Sequence, residues 1–216
     1  MLSDVLDRVI SYAAKDAIEL GLAQKLWADA AGKIYDDDPL YEERAAAFLE
    51  WFALERPSTD GRTPAQRYLA LQPLEDLDGR WLHALDTSHR SLFEILRIEE
   101  GAMELDDLLT GCRFAVSERR TLAGLAEHDL FEARLVADVV SPPALLFGKT
   151  MMFHPPIAAP AIRTLCQTAR QDGERPSDVL FRLARLRVRA LRWAHVSADR
   201  IYAEHALWQS ESPPSQ

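Results

Sequence analysis

Gly148-Lys149-Thr150 has the strongest claim to chemistry, because a Gly-Lys-Thr triplet after an apolar stretch has the form of the end of a phosphate-binding loop. Such a loop needs successive backbone N–H groups and a helix N-terminus. Here Pro143 occupies the place of the first glycine of GxxxxGK[ST], and Met151-Met152-Phe153-His154-Pro155-Pro156 follows instead of a helix start. The triplet therefore reads as a strand with an exposed lysine. The six histidines contain no pair at i, i+4 and no HExxH, so no helical metal pair exists. His83 and Asp86 could form an acid–base dyad on a helix, but a surface hydrogen bond accounts for the spacing as simply. Cys112 and Cys166 lie far apart, without CxxC or a local histidine, and read as reduced thiols rather than a zinc site, disulfide framework or nucleophile. Glu99, Glu100, Glu104, Asp106 and Asp107 could surround a cation, yet alternation along a strand sends Asp106 and Asp107 to opposite faces. The sequence thus leads us to expect no metal and no cofactor. If the protein is an enzyme, its site is assembled from distant residues, with His83, Asp86, His154 and Arg187 the least implausible members.

The sharpest pattern is basic. On a helix beginning near Ser177, Arg182, Arg185, Arg189 and Arg192 fall within an arc of about 80° and form one stripe. Val179, Leu180, Leu183, Leu186, Ala190, Leu191 and Ala194 make the opposite, apolar face. Arg187 lands within that apolar face, so it should find a carboxylate or several carbonyls, and the acidic N-terminal helices are the expected ion-pair partner. The stripe is either paired within the chain or a binding surface, first for another protein and second for nucleic acid. The net charge is −9, and the chain has four Lys against twenty-one Arg and no Asn. That bias weakens any argument that arginine was chosen for its chemistry. An acidic bulk also repels nucleic acid.

The elements that must position these residues divide the chain in three. Helical periodicity runs over 4–20, continues past a break at Gly21 to about Ile34, and stops at Asp36-Asp37-Asp38-Pro39, read as a solvated turn capping the next helix. Further helices are expected over 41–54, from a Thr63-Pro64 start to Leu71, and over 74–87. The period then changes to two. Strands are expected over 91–99, 102–108, 112–117, 129–139 and 144–153, with turns at Gly101 and Thr110-Gly111. Helices return over 157–171 and 177–208. We therefore expect an α+β protein: a helical subdomain over 1–90, a five-stranded antiparallel sheet or small barrel over 91–153, C-terminal helices over 154–209 packing back on the rest, and a frayed tail over 210–216. Trp193, Tyr202 and Trp208 could leave apolar surface for a homodimer.

Three segments, FLEWFALERPSTDGRTPAQRYL, LFEILRIEEGAMELDDLLTG and HDLFEARLV, make the stretch from about Leu40 to Val136 resemble a group of uncharacterised bacterial proteins. Members of that group often carry a short zinc-binding segment like the one at the C-terminus of the SecA translocase. This chain lacks it, and the resemblance brings no catalytic residues. It implies a shared helical stem and strand module. No secretory leader or membrane span is expected, so the sequence reads as that of a cytoplasmic, non-catalytic interaction protein binding another protein through the β-module and the basic C-terminal helix. A nucleic-acid or ribosome-associated protein is the alternative.

Overall fold

The computed structural model describes residues 2–72, 76–117 and 124–208, with side chains to residue 203. The architecture is α+β. Five helices, α1 (Leu2–Ala13), α2 (Ala17–Ala31), α3 (Tyr41–Leu54), α4 (Pro64–Leu69) and α5 (Leu77–Asp86), precede the strands β1 (His89–Glu99), β2 (Ala102–Asp107), β3 (Arg113–Ser117), β4 (Leu130–Ala137) and β5 (Leu145–Phe153). Then come α6 (Ala159–Gln171), α7 (Pro176–Arg192) and α8 (Ala198–Trp208).

Local chemistry explains most of the boundaries. Thr63 makes a capping box with Gln66, with Pro64 at the first helical position, as its sequence suggested. Two breaks differ from expectation. The first falls at residues 14–16 and not at Gly21, because the Asp16 carboxylate accepts the Glu19 N–H at 3.0 Å and starts a new helix that absorbs the glycine. The second divides the expected 177–208 helix at residues 193–197. Its first half starts at Pro176, so Ser177 lies inside the helix instead of capping it. The tail over 210–216 lies outside the described residues.

All five strands pair antiparallel in the order β3-β2-β1-β4-β5. Gly101 and Gly111 turn the chain between the first three strands with φ of +74° and +76°, a region open to glycine at little cost. The sheet is open but curled, so its two edge strands, β3 and β5, come near one another without pairing. Phe93, Ile95, Met103, Leu105, Val116, Phe131, Leu135 and Phe147 fill the inside of the curl. Outside it, helices cover only part of the sheet. Residues 91–95 of β1 and 130–136 of β4 are buried throughout, whereas β2, β3 and the end of β1 alternate with exposed positions.

Candidate functional site

The covered outer face of β1 and β4 should be apolar, yet it carries charges. Arg90 on β1 lies directly opposite Arg134 on β4, an arrangement that repels unless carboxylates intervene. Three do. Glu132 accepts from Arg90 Nε at 2.8 Å; Glu55, just past α3, pairs with both Arg90 and Arg134; and Glu50 on α3 stands 3.5 Å from Arg134 Nε and accepts from the Thr150 hydroxyl at 2.6 Å. Arg134 also donates to the Ser88 hydroxyl at 3.0 Å. Burial pushes the Glu132 carboxyl above its ordinary value despite Arg90. Burial opposes the Glu55 carboxylate too, but Arg90 and Arg134 outweigh it and hold that group low. Three carboxylates therefore face two guanidiniums across the covered face. The space beside them is about 10 Å³, room for about one water, and the cluster joins α3 to the sheet.

Every residue of this cluster falls within residues 23–156, the span matched by the sequence profile of a family of unknown function (DUF7986). The chain belongs to that family. No curated protein and no solved structure matches it. Glu50 and Glu55 stand in the first of the three segments quoted above, and Glu132 and Arg134 in the third. Helix α7, with its arginine stripe, lies outside the matched span.

Two further polar centres of the family span sit on the first strands. Asp107 is fully buried and accepts from Ser91 Oγ at 2.5 Å, Thr110 Oγ1 at 2.6 Å and the Leu109 N–H at 2.9 Å, with His89 Nε2 at 2.6 Å. Burial pushes its carboxyl up, but these donors prevail and hold it below the ordinary value. The serine and histidine both face the carboxylate, so this is a turn-locking hub and not a nucleophile–base relay. Glu94 likewise takes two bonds from Arg163 of α6, each 2.9 Å, and meets His128 Nδ1 at 2.9 Å. His128 adopts φ +72°, a left-handed value uncommon outside glycine but one that histidine visits more readily than most residues, while its N–H bonds the Ile95 carbonyl.

The expected binding residues are occupied inside the chain. Arg182 pairs with Glu174, Arg185 donates to the Asp29 carbonyl, Arg189 lies 4.0 Å over the Trp193 ring, and Arg192 pairs with Asp38 and lies 5.0 Å from the Tyr35 ring centre. Two of these contacts, those of Arg185 and Arg192 with the Asp29 carbonyl and Asp38, follow a single logic. The last carbonyls of α2 carry its negative pole, and Asp38 beside them adds a full charge. Arg44 of α3 completes the arrangement, bonding the carbonyls of Gly32 at 2.7 Å and Lys33 at 3.1 Å as well as Asp38. Asp38 was expected in a solvated turn. It is instead buried, because three groups converge on it: Arg44, Arg192 and the Tyr35 N–H.

Arg187 departs from expectation in its partner. It is half-buried and donates to the Phe153 carbonyl at 2.8 Å, with no carboxylate among the described residues, because its helix turns that face toward the end of β5 rather than the acidic N-terminal helices. His154 beside it is buried, with Nδ1 2.9 Å from the Tyr202 hydroxyl; burial, helped by Arg187, pushes the imidazole down to about 3. No hydrogen bond or ion pair connects His83 or Asp86 with this pair among the described residues. Lys149 pairs with Asp7 at 3.0 Å, and no group of three His, Cys, Asp or Glu side chains is placed to hold a metal among the described residues. Tyr202 is wholly buried and so forms no apolar surface; the Trp208 side chain lies outside the described set. The missed centres had one available signal, charged residues at strand positions flanked by apolar ones, as in Phe131-Glu132-Ala133-Arg134-Leu135.

Proposed function

We propose that this is a non-catalytic cytoplasmic protein that binds another protein through its β-module, by the part of the sheet that no helix among the described residues covers. The single observation supporting the reading is the division of the outer sheet face. Over β4 and the start of β1 it is closed and filled with paired charges. Among the described residues it is open over β2, β3 and the end of β1, with a groove of about 340 Å³ walled by Arg97, Glu99, Glu104, Arg113 and Phe114. A surface with both signs of charge suits a polar protein partner. The basic C-terminal helix contributes indirectly, since its arginines hold the frame behind the module. A cytoplasmic setting suits two free thiols, Cys112 exposed and Cys166 buried, and no helix among the described residues is long and apolar enough to cross a membrane. Kinship with bacterial proteins that often carry a SecA-type zinc-binding segment belongs to the same reading and rests on the three quoted segments.

Affinity capture from native lysate with the wild type and with Arg97→Glu/Arg113→Glu tests it. Both side chains are exposed, so the variant should fold. A specific protein retained by the wild type and lost by the variant is the expected result; no specific protein, or equal retention by both, would overturn it. Nucleic acid is the weaker reading because the stripe is already engaged. A polyanion column at low salt should retain the protein poorly.

A further inference from the structure

Helix α2 buries Ala23, Trp27 and Ala31 but leaves Ile18, Leu22 and Leu26 at 78%, 48% and 52% exposure. Spaced by four, these three form one ridge about 12 Å long on the solvent side of the helix. Large aliphatic residues aligned on an outer helix face mark a docking surface rather than scattered exposure. Arg185 of α7, bonded to the Asp29 carbonyl, marks its border.

What the ridge fits is written in its symmetry. Lys15 stands just before the N-terminal end of α2 and Asp29 in its last turn, and neither side chain has an ion pair or hydrogen bond among the described residues. At its end of α2 each is unfavourably placed, since a cation at the positive pole and an anion at the negative pole both oppose that helix's dipole, although Lys15 also stands at the favourable C-terminal end of α1. An antiparallel copy reverses both disadvantages. With a two-fold axis at Leu22, Leu22 meets Leu22 of the second copy, Ile18 meets Leu26, and Lys15 meets Asp29, each cation then lying at the other helix's negative pole.

We infer that the protein associates with a second copy of itself through an antiparallel α2–α2 contact centred on Leu22. A single helix pair lies toward the low end of specific interfaces, below about 1,200 Å², so the dimer forms reversibly with concentration. The inference is independent of the β-module reading, whose surface lies on other elements.

Sedimentation equilibrium of the full chain over a wide concentration range tests it. The wild type should rise from its 24.4 kDa monomer mass toward twice that value. Leu22→Glu should stay monomeric while keeping the wild-type circular dichroism. Lys15→Asp and Asp29→Lys should each weaken association about tenfold, and the double exchange should restore it. A wild type that is monomeric throughout, an unaffected Leu22→Glu, or a double exchange no better than the singles would each overturn the inference. Arg97→Glu/Arg113→Glu should leave association unchanged, which separates this result from the fate of the β-module reading.

Discussion

Helices α2 and α7 pack against each other and present opposite problems to solvent. α7 looks adhesive in sequence, with four aligned arginines, yet every one of them has a partner inside the chain. α2 looks unremarkable in sequence, yet it leaves three aliphatic side chains uncovered. The difference is one of reach. A guanidinium on a long flexible stem can bend toward a nearby carboxylate, carbonyl or ring, whereas an isoleucine or leucine on an outer helix face can be covered only by something that comes to it. Exposed charge is thus poor evidence for a binding surface, and aligned exposed aliphatics are better evidence.

Three measurements could break or sharpen that contrast. The largest effect is expected at the joint between the helices. Arg44→Ala removes a buried guanidinium that serves Asp38 and the end of α2, leaving a buried carboxylate short of a partner, and should cost about 3–5 kcal/mol in denaturant unfolding. A loss under about 1 kcal/mol would mean the end of α2 is held by other contacts. Next comes His154, packed near Arg187 of α7. Its folded pKa lies near 3 against an unfolded value of about 6.5, so between those values only the unfolded chain takes up the proton, and stability must fall as pH falls. The slope due to this group should approach about 1.4 kcal/mol per pH unit below 6.5, and His154→Gln should flatten it. A wild-type stability constant from pH 6.5 to 5 would contradict the burial of a neutral ring. The smallest effect belongs to the stripe. Arg192→Gln breaks a partly exposed pair and should cost no more than about 1 kcal/mol, since such pairs gain little over solvent. A cost matching Arg44→Ala would make the two arginines equal partners in the joint.

Much of the fold was legible because it depends on local rules. Alternation between His89 and Phe153 gave all five strands, Gly101 and Gly111 gave the first two turns, and Thr63-Pro64 gave a helix start. Gly21 misled because a glycine weakens a helix without ending it, and the carboxylate of Asp16 decided where the new helix began. The candidate site was less legible. Glu132 and Arg134 occupy the strand face opposite Phe131 and Leu135, which is solvent in a one-sided sheet; only the arrival of α3 makes it an interior, where Glu50 and Glu55 complete the charges.

By itself the sequence determined which segments are helix and which are strand, and that Asp106 and Asp107 face apart, because these follow from periods of 3.6 and 2 along the chain. Only the tertiary structure decided which charges are spent within the fold. Arg192 and Asp38, or Arg134 and Glu55, lie 154 and 79 residues apart, and nothing local records that they meet. The same holds for the ridge of α2, since a helix carrying apolar residues around much of its circumference announces that it has something to bury, but not which side its own chain will cover.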